Sequence, residues 1–435
     1  METRGGPRNP AVRVQCMQPA NSSSPPRTPP MHTPRALVFT SLLFFAPVAL
    51  AQEHGVLAQE PAGLFESVAR TLERRFYDKE FRTLELPAIA DRYRAAADAC
   101  ETLAEERAVV HDFLANIPAS HLALVSRTTY DHMFAELSGR GSATFGFQLV
   151  ELEGQYYVDW VFEGGPAERA GLRRGDQVIA IEGVAPGESV RLDWRSDDAA
   201  LPDPAIHEIL GVDGESLEFT VRPAPGEEVR RTVRAMVYSG MDAARASARI
   251  VESGPYRFGY VHFWYIPFMG PSGLLKELFA DRFADCDGLI VDLRGRGGAV
   301  TEVGALLNLL DPQEGQWRRP LVLLTHAETR SAKEVIAYQL RRKNACFVVG
   351  ETTAGAVIPA TFADVGHDTM LMFPAFTLPG HTRLLEGIGV TPDIEVAGPL
   401  PFAGGRDPIY RAGIVALDEW CRELSALGRR GASAR

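Results

Sequence analysis

The sequence predicts an α/β core on a mainly parallel sheet, preceded by a helical domain and a separate β-rich unit. Three observations carry that prediction. Short apolar runs alternate with helical patterns from residue 258 onward, as parallel strands joined by crossover helices require. Residues 320–357 read as strand, turn, helix, strand, with the apolar run Leu321–Thr325, a helical face of Ala332, Val335, Ile336 and Leu340, and a second run Cys346–Val349. Glycine-rich turns close strands at residues 294–298 and 350–355, where backbone N–H groups can face a ligand.

Composition bounds the function. Of 435 residues, 46% are hydrophobic and 23% charged, which is ordinary soluble globular composition. The formal charge of −11 argues against the concentrated basic face that nucleic-acid binding needs. Met1–Pro30 is rich in Pro, Ser and Arg with no hydrophobic period, so no fold is expected there. Arg35, the apolar run Ala36–Leu50 and Ala49-Leu50-Ala51 before Gln52 have the marks of a secretory signal peptide, too short for a membrane span. Residues 1–51 are therefore expected to be an extension plus signal, with translation starting at Met31 and the mature chain exported to the periplasm or beyond. That mature chain carries 40 basic and 55 acidic residues, a charge of −15. In an oxidising compartment Cys100, Cys286, Cys346 and Cys421 either pair or remain buried thiols. Their spacing matches no metal motif, and neither metal nor cofactor is expected.

Residues 52–138 read as the helical domain. Leu64, Val68, Leu72 and Phe76 recur every four residues, and Leu103, Val110 and Leu114 repeat later. The segment ends in Ala119-Ser120-His121-Leu122, and a lone histidine at a domain edge is ordinarily a surface or capping residue. Residues 139–225 form the β-rich unit, with strands at Gln148–Glu151, Tyr156–Val161 and Gln177–Glu182. Its run GGPAERAGLRRGDQVIAIEGV resembles a PDZ domain. The resemblance implies a groove between a first strand and a helix that takes an extended peptide by strand addition, its carboxylate held by backbone N–H groups of Phe145, Gly146 and Phe147. Val190–Leu210 is longer and more polar than such a domain needs, so its helix is expected to be irregular. The other reading of this unit is a folded spacer. Residues 226–435 make the core, with strands at Phe258–Phe263 and Gly288–Leu293 and helices at Leu274–Phe283, Ala299–Leu310 and Pro408–Leu427.

The chemistry concentrates where strands end. Ser331 stands where Leu321–Thr325 turns into a helix, beside N–H groups the helix leaves unpaired. It is either a nucleophile next to an anion-stabilising site or a helix cap, Glu334 three residues on completing a capping box. Gly295, Gly297 and Gly298 follow the strand that carries Asp292 and suit a phosphate or an oxyanion hole. No G-x-G-x-x-G or P-loop pattern is present, which argues against a nucleotide.

The parts follow in a recognisable order: signal peptide, helical domain, histidine, PDZ-like unit, Asp-Leu-Arg with glycines, T-x-S-A-x-E, G-E-x-T-x-G and E-G-x-G-V-x-P-D. From about Gly63 to Val396 this resembles the C-terminal processing (tail-specific) and tricorn-core family of serine peptidases. The resemblance implies a ClpP/crotonase-like catalytic core and cleavage of unfolded or tagged proteins, with polypeptides rather than nucleic acid or membrane as partners. One branch of that family uses a lysine beyond the G-E-x-T motif, and Ala356 stands at the matching position. The tricorn-like branch uses a histidine before the PDZ domain and a late glutamate, which match His121 and Glu386. The resemblance thus implies Ser331 as nucleophile, His121 as base, Glu386 as third member, and the N–H groups of Gly298 and Ala332 as oxyanion hole. The sequence departs from the pattern around the histidine, at Arg296 for asparagine, at Ala299 for glycine, and at Arg330 for a small residue. His326 and His381 compete for the base role. A degenerate, peptide-binding scaffold is the alternative function.

Overall fold

The computed structural model describes residues 63–193, 206–209, 211–377 and 380–433. By internal contacts the chain divides into residues 1–58 and 59–435, and every described element belongs to the second unit. The signal segment and the Met31 start lie outside the described residues.

Four helices open the structure: α1 (Leu64–Arg75), α2 (Lys79–Leu84), α3 (Leu86–Asp98) and α4 (Leu103–Leu114). Asp78 caps α2 and a Thr102–Glu105 capping box starts α4, each supplying acceptors for orphan N–H groups. The four-residue repeat buries Leu64, Val68 and Leu72 against Val110, Phe113 and Leu114. Strand β1 (Ala123–Ser126) and helix α5 (Arg127–Leu137) follow.

The PDZ-like unit comprises β2 (Ser142–Thr144), β3 (Phe147–Leu152), β4 (Gln155–Val161), α6 (Pro166–Arg169), β5 (Gln177–Ile181), β6 (Ile206–His207), β7 (Ser216–Ala224), β8 (Glu227–Arg234) and β9 (Met236–Tyr238). Its main sheet runs β6-β3-β4-β5-β7-β8, and β2 pairs with β9. The sheet continues through β8, beyond the boundary at residue 225 read from the sequence. The expected irregular helix over 190–210 falls largely on residues 194–205 and 210, outside the described residues, which in that stretch are 190–193 and 206–209. They contain β6, which pairs antiparallel with β3.

The core adds α7 (Gly240–Ser247), β10 (Arg249–Ser253), β11 (Tyr256–His262), α8 (Pro271–Ala280), β12 (Gly288–Asp292), α9 (Val303–Leu310), β13 (Leu321–Thr325), α10 (Ala332–Arg342), β14 (Phe347–Gly350), β15 (Ala360–Gly366), β16 (Thr369–Pro374), α11 (Thr382–Leu385), β17 (Ile394–Glu395) and α12 (Pro408–Ser433). Its sheet runs β10-β11-β12-β13-β14-β17, parallel throughout except for β10. Every residue of β12 and β13 is buried, because α8, α9 and α10 cover one face and α12 the other. Parallel pairing brings the carboxyl ends of β12, β13 and β14 to one edge, where such sheets bind ligands.

Two long-range attachments matter for the site. The hairpin β15–β16 pairs with β1 and shares a core with the N-terminal helices through Leu124, Leu371 and Phe373, so the helical domain is completed by a hairpin from the core region. A strap at residues 398–405 grips the turn before β5. Arg174 donates to the carbonyls of Gly398 and Pro399 at 3.0 and 3.2 Å, and the N–H groups of Phe402 and Gly405 return to Gly175 and Arg174. Gly175 has φ +89°, and a Cβ there would stand 2.3 Å from the Ala403 nitrogen. Cys100, Cys286, Cys346 and Cys421 are free, the last three buried, which is the thiol alternative. Among the described residues no helix is long and apolar enough to cross a membrane.

Candidate active site

Ser331 occupies a sharp elbow between β13 and α10, with φ 58° and ψ −128°. Non-glycine residues rarely adopt that region, at a penalty of about 1–3 kcal/mol. Neighbouring bonds hold it there. The Ser331 N–H donates to the Ala356 carbonyl at 2.8 Å and to the Glu334 carboxylate at 3.1 Å. Glu334, fully buried, also accepts from Thr353 Oγ1 at 2.5 Å and from the N–H groups of Gly355 and Ala356 at 2.8 Å each. It thereby fastens the elbow to the turn after β14. Burial raises its pKa against these opposing hydrogen bonds.

The glycine run lies against this elbow. A Cβ at Gly297 would sit 3.0 Å from Ser331 Cβ. Gly298 bridges Ile266 in parallel, and a Cβ there would meet the Ile266 oxygen at 2.4 Å, so only glycine fits. That bridge uses the Ile266 N–H to the Gly297 carbonyl and the Ala299 N–H to the Ile266 carbonyl, leaving the Gly298 N–H outside the pairing. The Ala332 N–H is in the first turn of α10, which the helix itself leaves unpaired.

His121 lies between α4 and β1, 7% exposed, also with positive φ, 60°. Its Nδ1 is 2.9 Å from Ser120 Oγ. The Ser120 N–H donates to Glu386 Oε1 at 2.8 Å, while Glu386 Oε2 accepts from Val357 and Ile358 at 2.9 and 3.1 Å. A continuous path therefore links the Ser331 N–H, the Ala356–Val357 peptide, Glu386, Ser120 and the His121 ring. Glu386 reaches the histidine through Ser120, a residue that the sequence marked only as a departure from a motif.

The competing histidines have other partners. His326 Nε2 accepts the Gly295 N–H at 3.3 Å, and its Nδ1 lies 3.0 Å from Thr329 Oγ1, whose hydroxyl donates to Leu293. That pattern assigns the proton to Nδ1. Burial, then the Arg294 cation, lowers its pKa to about 3, so it is neutral. His381 Nε2 contacts Gln339, eight residues beyond Ser331 and about 12 Å along α10. Ala356 is fully buried and supplies only backbone.

Beneath the site lies a buried charged layer that the sequence did not reveal. Arg294 bonds both Asp292, at 2.6–3.1 Å, and Asp407, at 2.7–2.8 Å. Burial pushes the Asp292 carboxyl up, but Arg294 and His262 outweigh it and hold the pKa below the usual range. Lys333, fully buried, donates to the carbonyls of Trp264 and Arg294 at 2.8 and 2.9 Å. Burial holds its pKa well below the ordinary lysine value. Among the described residues no cluster could hold a metal ion.

The PDZ-loop residues stand at the head of β3. Gly146 has φ 76°, its N–H donates to Thr144 Oγ1 at 2.9 Å, and its carbonyl accepts from Phe162 at 2.8 Å.

A strained serine at a strand-to-helix elbow, flanked by a glycine run and wired to a histidine and a glutamate, has the layout of a serine peptidase. Residues 257–396 match peptidase family S41, residues 157–194 a PDZ domain and residues 57–115 the tricorn protease C1 domain. The stretch that matches peptidase family S41 is the one that carries Ser331, Glu386 and the glycine run. It is 25% identical over 393 residues to tricorn protease homolog 1 of Streptomyces coelicolor, covering 80% of this chain but only 34% of that protein. It is 22% identical over 369 residues to the chloroplastic C-terminal processing peptidase of Tetradesmus obliquus, covering 77% of this chain and 76% of that one. Among solved structures, a photosystem II D1 C-terminal processing protease aligns with TM-score 0.46 and 17% identity over 78% of this chain and 94% of that one.

Proposed function

We propose that this chain is an exported serine endopeptidase that cleaves unfolded or tagged polypeptides through an acyl-enzyme. Ser331 Oγ attacks the scissile carbonyl while His121 takes its proton through Nε2, since Nδ1 faces Ser120. The N–H groups of Gly298 and Ala332 hold the developing oxyanion. His121 then gives the proton to the leaving amine as the C–N bond breaks, which leaves an ester on Ser331. Water, deprotonated by the same imidazole, attacks the ester, and the proton returns to Ser331 as the carboxyl product leaves. Glu386 supports the imidazole through Ser120. The PDZ-like unit selects chain ends at the Phe145–Phe147 loop.

The observation that carries this reading is the hydrogen-bonded path from Ser331 to His121. Treatment with a fluorophosphonate probe, alongside digestion of reduced casein, tests it. Wild type is expected to label and cleave, and Ser331→Ala to do neither. An unreactive wild type would favour the peptide-binding scaffold.

A further inference from the structure

β3 follows directly on the Phe145–Phe147 loop, and its outer edge is where an extended peptide would add. That edge is already filled by the chain itself. Ile206 and His207 pair antiparallel with Val150 and Leu149, the orientation an added strand would take. Ile206 is 1% exposed, packed with Val150 and Tyr157 beneath Leu400 and Phe402 of the strap. His207 Nε2 stands 3.3 Å from the Glu151 carboxylate. The segment is pinned on its other side too. Leu192 bridges Ile209, and the Asp193 N–H donates to the Glu208 carbonyl at 3.0 Å. The buried Asp193 carboxylate accepts from Ser126 Oγ at 2.6 Å and from Thr129 Oγ1, which lie on β1 and α5 outside the PDZ-like unit.

We propose that residues 206–209 are the resident ligand of the PDZ-like edge, so that a polypeptide with a free C-terminus gains the edge only by displacing them. The inference rests on the reading of this unit as the selector of chain ends and adds how that selection is held in check. A competitor on the same chain acts at an effective concentration of about millimolar or more. The affinity seen by an incoming peptide falls by the fraction of molecules whose edge is open. Substrate ends that match β3 poorly are then excluded, and basal cleavage of bystander proteins is suppressed. Ile206→Asp places a charge in an apolar site and should evict the strand. Asp193→Ala removes the clamp without touching β3.

The experiment uses the full chain in a Ser331→Ala background, so its outcome is independent of whether the serine is catalytic. Fluorescein-labelled decapeptides ending in a free apolar carboxylate, and their C-terminal amides, are titrated by anisotropy. Ile206→Asp and Asp193→Ala should bind the free-carboxylate peptides at least tenfold tighter than the parent, with no such gain for the amides. Hydrogen exchange should show the amides of 206–209 protected in the peptide-free parent and released when peptide binds. Equal binding by parent and variants, including none, would overturn the proposal, as would exchange of 206–209 at the rate of unstructured chain.

Discussion

At the scale of single residues, the proposed site leans on groups that take no part in the proton transfer itself. Ser120 meets the His121 ring with its hydroxyl and Glu386 with its N–H. Ser120→Ala keeps the N–H and removes only the ring contact, worth roughly 0.5–1.5 kcal/mol. It should lower kcat about tenfold with KM nearly unchanged, which steady-state kinetics on a peptide substrate would check. Gly298→Ala is a harsher change, because the new Cβ would meet backbone at 2.4 Å. The backbone must shift, and loss of one oxyanion donor lowers kcat by about 10²–10³. Retained fluorophosphonate labelling at the wild-type rate would contradict that donor assignment. The candidates Ser331 and Gly298, and Ala356 in place of a lysine, could be picked out because each lies in a local run of letters. The role of Ser120 was not, since its partner Glu386 is 266 residues away and only the fold makes them neighbours.

At the scale of elements, α10 does more than present the serine. Lys333 stands at i, i+3 and i+7 spacing with Ile336 and Leu340, yet the apolar stripe read from the sequence left it out, since a lysine is ordinarily assigned to the solvent face. What periodicity could not supply was its partners, the carbonyls of Trp264 and Arg294, which end the two segments that frame the glycine run. Lys333→Met keeps the bulk and removes both donors, stranding the Trp264 carbonyl and leaving that of Arg294 only the His262 ring nitrogen at 3.3 Å. Stability should fall by about 2–4 kcal/mol in a denaturant titration, and kcat should fall with it as the run from Gly295 to Gly298 loses its anchor. A variant as stable and active as wild type would deny Lys333 this positioning role. The strands and helices of the core were readable from apolar runs and 3.6-residue repeats. The stretch before β7 was not, because the pairing that defines β6 is long-range and no local period announces it.

For the molecule as a whole, buried titratable groups set opposing responses to acid. His326 is neutral in the fold down to about pH 3, whereas an ordinary histidine takes a proton near 6.5. Between those values the unfolded chain binds the extra proton, so this contribution is complete above pH 6.5 and drains as pH falls towards 3, by about 1.4 kcal/mol per unit. Glu136 behaves oppositely. Burial raises its carboxyl to about 7, so its contribution is present below pH 4.5 and lost as pH rises through 7. Calorimetry from pH 4 to 8 should show His326→Gln flattening the acid loss and Glu136→Gln flattening the loss towards neutrality.

The strap at residues 398–405 has a mechanical corollary. A module joined only by its two chain ends can swing like a bucket on its handle, and each further mooring, the strap here and the Asp193 clamp on β1 and α5, restrains that swing. If the unit seats chain ends as proposed, the grip on the turn at Gly175 would hold the span from the β3 edge to Ser331 and make the protein a ruler. A chain end seated at the edge would be cut at a set number of residues from its terminus. Gly175→Ala, whose Cβ collides with the strap, should broaden the lengths of released fragments seen by mass spectrometry while leaving the rate of bond cleavage nearly intact.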